Sequence, residues 1–398
     1  MAYTYQRQAT FVLALTLLGA TTWEYSRGSN SFAVPKYDER VNSTSVEPRV
    51  YDFSDETIRV WPISFSAPED IWVPVVQYKI RGFGHIIPGN QSTYIYDSEE
   101  SYYQDYRHSM FGVTRKKAGW DCMRHIEIMA SGCVPFFVDL KYLPRRTMQF
   151  YPKKLLEQAR NFPGVTFHGS QDDPSSYKIA SDRFDFEKYY ELATKILEHS
   201  REHLTTRAMA QYVLQRIDMP SPKRALMATN CIDDYLQDTM LHGLKLVLGA
   251  RLVDFVPESQ LLSADQCVTD HSHSTRLLPD YRVNMYMDSW AASSKSNLDT
   301  RKSYGRGFTV WNRLSKAIHG DIDRSNVYKD IEDDVFDVVF LTDRVLRSQE
   351  QRRFVDHVRL NVDRSKVVAL LGDDSPADVV TLHQYHSLSS WIFERELP

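Results

Sequence analysis

Residues Tyr106 to Leu140 read YRHSMFGVTRKKAGWDCMRHIEIMASGCVPFFVDL, and the order of apolar and charged residues in them decides the fold. An apolar run gives way to the basic loop Arg115-Lys116-Lys117, which passes through Gly119 into a helix that starts near Asp121. Gly132 closes that helix ahead of Cys133-Val134-Pro135-Phe136-Phe137-Val138, a run so apolar that it must form a central strand covered on both faces. Strand, loop, helix and strand in this order make the unit of a parallel α/β sheet. The loop also has the parts of a nucleotide diphosphate site, because cations and helix-end N–H groups meet at one place. On the helix, Arg124 and Glu127 share a face, so the arginine can reach a phosphate while the carboxylate accepts both hydroxyls of a ribose. Taken alone, the same residues fit a solvated salt pair worth about a few tenths of a kcal/mol, with the loop as ordinary surface.

The alternation of short apolar runs and helical stretches extends in both directions. Strands are expected at Val60 to Phe65, His85 to Ile87 and Thr93 to Tyr96, with helices at 99–108, 120–131, 152–161, 185–200 and 204–216. The tyrosines at 94, 96, 102, 103 and 106 read as core or rim residues. Asp218-Met219-Pro220-Ser221-Pro222-Lys223 has two prolines and no apolar period, which marks a boundary. Beyond it a strand at Arg224 to Thr229, a helix at Asp233 to Leu248 closed by Gly249, and a strand at Arg251 to Phe255 make a second βαβ unit. Strands recur at Val335 to Thr342 and Lys366 to Leu371 with a helix at 349–361 between them, after an irregular stretch from 257 to 302. No G-x-G-x-x-G follows a strand, which argues against an NAD or FAD enzyme.

Composition agrees with this organisation. A chain of 398 residues with 42% hydrophobic and 25% charged residues and a net charge of −4 is globular, and it lacks the basic excess of a nucleic-acid binder. Its length fits two domains of about 150 to 200 residues each. Four cysteines, at 122, 133, 231 and 267, show no C-x2-C spacing for zinc and are too few for a disulfide scaffold. The uncharged stretch Ala9 to Trp23 would rise only about 22 Å as a helix. It reads as a short signal anchor with Arg7 on the cytoplasmic side, as the core of a cleaved signal peptide, or as a buried or disordered terminus. Residues 24–57 are polar and read as a stem. Asn42-Ser43-Thr44 and Asn90-Gln91-Ser92 are N-glycosylation acceptors if the chain enters the secretory pathway.

The block Ser109-x-Phe111 through Arg124-His125-x-Glu127-Ile128-x-x-x-Gly132-Cys133-x-Pro135 resembles the donor-site motif of exostosin-like glycosyltransferases and of related transferases with two facing Rossmann domains, the GT-B architecture. The resemblance covers about residues 58–160. It implies an α/β chain of two Rossmann-like domains facing across a cleft, with a nucleotide-sugar (donor) domain at 58–221 and an acceptor-side domain at 222–398. It further implies that Glu127 binds the donor ribose and that Arg124 with Arg115 or Lys116 holds the pyrophosphate, Lys117 and His125 completing the donor set. Many retaining GT-B enzymes have a glutamate eight residues before the ribose glutamate; that position here is Gly119, so inversion and retention both stay open.

A looser resemblance links the second half to the acceptor-side domain of bacterial and viral relatives. It rests on Asp234-Tyr235-Leu236, His242-Gly243-Leu244, Leu248-Gly249, Tyr304-Gly305-Arg306-Gly307-Phe308 and Phe393-Glu394-Arg395-Glu396-Leu397. In those relatives that domain usually comes first, so the order here is permuted and Pro398 is expected near Ile58.

The implied activity is transfer of a sugar from a nucleoside diphosphate sugar to a hydroxyl of a glycan, protein or lipid, without metal or other cofactor. The implied place is the Golgi or endoplasmic reticulum membrane with lumenal domains, or secretion. The alternative is a non-catalytic descendant that binds a glycan or a partner protein. An inverting reaction needs a base for the acceptor hydroxyl. Asp233 with Asp234 and Asp373 with Asp374 follow expected parallel strands, where open α/β sheets bind ligands, so Asp234 and Asp374 are the catalytic candidates; as helix caps or solvated turns they would be structural. Arg306, between two glycines, fits an acidic or phosphorylated acceptor. Asp321-Ile322-Asp323 and Asp270 with His271 and His273 have metal-ligand residue types but occur in polar loops, and no metal is assigned to them.

Overall fold

Runs of almost wholly apolar residues with no exposed face, such as Val338–Thr342 and Val367–Leu371, cannot sit at a surface and become the middle of a sheet. The computed structural model describes residues 46–398 except 54–55, 97, 170–175, 230–233, 258–313 and 315–321. The first elements are strands β1 (Arg49–Asp52), β2 (Thr57–Pro62) and β3 (Arg81–Phe83), helix α1 (Glu99–His108), strand β4 (Ser109–Thr114), helix α2 (Met123–Ala130) and strand β5 (Val134–Phe137). They are followed by α3 (Lys153–Arg160), β6 (Val165–Phe167), β7 (Tyr177–Ile179), α4 (Phe186–His203) and α5 (Thr206–Arg216). The remainder contributes β8 (Ala225–Ala228), α6 (Tyr235–Leu248), β9 (Leu252–Phe255), α7 (Val327–Glu332), β10 (Val338–Thr342) and α8 (Asp343–Arg347). It ends with α9 (Arg352–Asn361), β11 (Val367–Leu371), α10 (Val379–His386) and β12 (Trp391–Glu394).

The fold is mixed α/β with a mostly parallel central sheet. That sheet has seven strands among the described residues, in the order β1-β2-β12-β11-β10-β8-β9, and only β1 runs antiparallel to its neighbour. Counted from β8, its C-terminal part has the order 2-1-3-4-5 of a doubly wound sheet, which puts the reversal of strand order between β8 and β10. A smaller parallel sheet, β3-β4-β5, is covered by α1 and α2. Gly112 lets α2 lie close to it, because a Cβ there would stand 3.0 Å from the Ile128 side chain.

Two crossings join these layers. β2 belongs to the large sheet, where Val60 stands opposite Ile392, although the chain goes straight on from it to build the small one. After α4 the chain returns: Ala67 bridges Thr205, with Ala67 N bonded to Leu204 O at 3.0 Å and Thr206 N to Ala67 O at 2.9 Å. α5 then packs on α6 so closely that a Cβ on Gly243 would come within 2.0 Å of Thr206 O.

Several expectations need correction. The expected stem ends in structure, since Arg49–Asp52 pairs with Thr57–Pro62 as an edge strand. No strand forms at His85 to Ile87; the strand lies earlier, at Arg81–Phe83. Thr93 to Tyr96 keeps an alternation, with Ile95 65% exposed between two half-buried tyrosines. It has no sheet edge to join, because Thr93 closes a local turn on Asn90 instead. No helix among the described residues is long and apolar enough to cross a membrane. The apolar segment 1–23, the stem to residue 45, Asn42, Cys231, Asp233, Cys267, Asp270, His271, His273, Arg306 and Asp321 lie outside the described residues.

Candidate functional site

The loop that leaves β4 is held from inside and from the far end of the chain. Inside, His125 is fully buried, with Nδ1 2.9 Å from Thr114 Oγ1 and Nε2 2.8 Å from the carbonyl of Trp120. Burial pushes its imidazole down to about 3, so the ring is neutral, donating to Trp120 and accepting from Thr114. It has no nitrogen left for a ligand, and its place is that of a post inside the loop. Asp121 is equally internal: it accepts from Phe65 N at 2.8 Å and Tyr151 Oη at 2.7 Å, and burial raises its carboxyl to about 7.

From the far end, Glu396 accepts the N–H groups of Trp120 and Asp121, both at 2.9 Å. A carboxylate thus occupies the amide pair that the loop would otherwise turn toward an anion. Arg395 beside it is fully buried, donates to Asp121 O, and bonds to Gly372 O at 3.0 Å, Asp373 O at 2.8 Å and Asp374 Oδ1 at 2.6 Å. Its guanidinium lies 4.3 Å from the Phe65 ring centroid. The approach is close enough to need glycine: a Cβ on Gly119 would meet Glu396 Oε1 at 2.7 Å and Asp374 Oδ1 at 3.0 Å.

α2 presents the other two motif residues differently. Arg124 is 9% exposed, and its Nε and Nη1 have no hydrogen-bond partner. Its guanidinium lies 6.0 Å from the Tyr94 ring centroid. Glu127, 3% exposed, accepts from Tyr102 Oη at 2.9 Å, and burial pushes its carboxyl up to about 7. The solvated salt pair that the spacing also allowed is therefore not what forms. Lys117 is near enough to Arg124 that burial and that second cation lower its ammonium below the usual lysine range. Lys116 is exposed, with its N–H on Asp139 Oδ2 at 3.0 Å and its ammonium 5.9 Å from the Trp120 ring centroid. Arg115 is half-buried at the end of β4.

At the carboxyl ends of the large sheet, Asp234 is the N-cap of α6, accepting from Gln237 N at 2.9 Å and from Arg344 Nε at 3.2 Å. Burial nevertheless raises its carboxyl. Asp374 is paired with Arg395. A Cβ on Gly372 would stand 3.3 Å from Asp234 Oδ1. The structure therefore brings Asp234, Asp374 and the 115–121 loop together around Arg395, with both aspartates engaged. The sequence marks Tyr102 only as a core or rim residue and Arg395 with Glu396 only as part of the looser resemblance; the signal for their role is the charged triplet Glu394-Arg395-Glu396 at the end of an apolar strand.

Elsewhere, a groove of about 640 Å³ between α3 and α4 is lined by residues such as Lys154, Asn161, Phe162 and Lys188. None of the expected site residues lines it. No group of three or more His, Cys, Asp or Glu side chains placed to hold a metal occurs among the described residues. No protein-family model, curated protein or solved structure matches this chain.

Proposed function

We propose that this chain is a glycosyltransferase that moves a sugar from a nucleoside diphosphate sugar to a hydroxyl acceptor. The observation that carries the proposal is Arg124: a buried guanidinium with two unpartnered donor nitrogens, one helical turn from a buried carboxylate. Leaving donors unpaired in the interior costs about 1–3 kcal/mol, a cost that a bound phosphate would remove. In this reading Arg124 inside, with Arg115, Lys116 and Lys117 at the mouth, stabilises the charge of the leaving diphosphate, and Glu127 holds the ribose hydroxyls. The two sheets are then Rossmann-like domains of a GT-B enzyme. What supports that is the doubly wound order of the large sheet and the return of α5 onto α6. The apolar segment before the fold would hold the enzyme at the endoplasmic reticulum or Golgi membrane.

A second reading, a non-catalytic relative that binds a glycan or partner protein, is favoured by Glu396. Its carboxylate takes the amides of Trp120 and Asp121, and Asp374 is tied to Arg395. Titration calorimetry with UDP, GDP, ADP and CDP, followed by hydrolysis assays on the matching nucleotide sugars, separates the two. The enzyme reading expects one diphosphate to bind more tightly than its nucleoside, and turnover of its sugar. Binding without turnover of any donor supports the second reading, and absence of nucleotide binding overturns the first.

A further inference from the structure

We propose that Asn90 carries an N-linked glycan, an inference that rests on the lumenal placement in the reading above. The sequence holds two Asn-x-Ser/Thr triplets, at Asn42 and Asn90, and the described fold presents the second of them. Asn90 and Ser92 are both exposed, on the connection between β3 and α1. Asn90 Oδ1 accepts from Ser92 N at 3.1 Å and from Ser92 Oγ at 2.7 Å. A backbone N–H can only donate, so the atom it meets must be the oxygen, which fixes the orientation of the carboxamide. Both protons of Nδ2 therefore remain available, and among the described residues the Asn90 side chain bonds only to Ser92. The neighbouring position is open as well, since a Cβ on Gly89 would meet nothing within 4 Å.

The turn that shapes this acceptor is local. Asn90 N bonds to Ile87 O at 3.0 Å and Thr93 N to Asn90 O at 3.2 Å. Thr93 Oγ1 accepts from Ile87 N at 3.0 Å and donates to Asn90 O at 2.7 Å. None of these bonds spans more than six residues, and loops this short close far faster than a chain is synthesised. The acceptor geometry thus forms without the large sheet, whose strand β2 has to wait for β12 from the far end of the chain. In the transfer, Nδ2 bonds to C1 of the first sugar of a lipid diphosphate-linked oligosaccharide while the bond from C1 to the diphosphate oxygen breaks. The electron pair leaves with the lipid diphosphate, and the proton lost from Nδ2 passes to a base of the host oligosaccharide transferase. The finished glycan stands four residues before Tyr94, whose ring lies against the Arg124 guanidinium. It keeps this face in water, so a partner protein has to approach from another side.

The test is translation of the full chain in the presence of endoplasmic reticulum microsomes, followed by digestion with peptide-N-glycosidase. Asn42→Gln leaves Asn90 in the one remaining triplet, and this variant should still run as a slower band that collapses on digestion. Adding Ser92→Ala should abolish the slower band, and Ser92→Thr in its place should keep it, because the acceptor needs the hydroxyl. An Asn42→Gln chain without a glycan, or a glycan that survives Ser92→Ala, overturns the assignment of Asn90. Protease added outside the microsomes separates the two premises. A protected but unmodified chain overturns Asn90 alone and leaves the lumenal placement standing, whereas a fully digested chain overturns both.

Discussion

A guanidinium such as that of Arg124, buried with two donor nitrogens unpaired, is poorly explained as a stabilising element. Arg124→Met should therefore raise stability in urea by about 1–2 kcal/mol while lowering nucleoside diphosphate affinity at least about tenfold. A destabilised variant with unchanged binding would show that the arginine serves only packing. Glu127 yields a pH signature. Burial raises its carboxyl from 4.5 to about 7, so its contribution to stability is complete below the unfolded value and is lost as pH rises through the folded one. Asp121 and Glu394 shift in the same direction, each to about 7, so the Glu127 share must be read by difference. Wild type should lose about 2–3 kcal/mol more than Glu127→Gln between pH 5 and pH 8. Parallel losses in the two proteins would place the titration elsewhere.

Among elements, the tightest fit is between α5 and α6. A methyl on Gly243 would collide with the backbone oxygen of Thr206 rather than with a movable side chain, so the two helices would have to separate. Gly243→Ala should cost about 3 kcal/mol, read as a fall in the thermal midpoint, and a change below about 1 kcal/mol would mean the helices can slide apart freely. Elements with local signals were legible in the sequence. α1 runs over the expected 99–108 because Ser98 caps it, acids open it and Arg107 with His108 closes it. The segment around His85 was not legible, since Arg-Gly-Phe is too short a strand to stand out and the tyrosine alternation after it imitates one. The N-cap role of Asp234 was visible as an alternative, whereas its pairing with Arg344 joins residues 110 positions apart.

For the molecule as a whole, the contacts that tie the loop after β4 to the carboxyl ends of the large sheet pass through Arg395, and no local pattern announces them. Glu396 meets Trp120 across 276 residues. Arg395→Met would remove the cation that faces the buried Glu396 carboxylate and leave it only the Trp120 and Asp121 amides, and should destabilise by about 3–5 kcal/mol. Adding Glu396→Gln should recover part of that loss, which equilibrium unfolding of both variants can measure. A cost below about 1 kcal/mol for the single variant would remove Arg395 as the tie between layers. The same long reach hid the membership of β2 in the large sheet, whose neighbour β12 is more than 300 residues away. The chain leaves the large sheet at Ala67 and comes back beside it at Thr205, so everything between is a cassette with touching ends. Insertions or deletions inside that cassette, away from the loop held by Arg395 and Glu396, leave the register of β2 on β12 untouched, and its outer surface can diversify without the framework having to be re-laid.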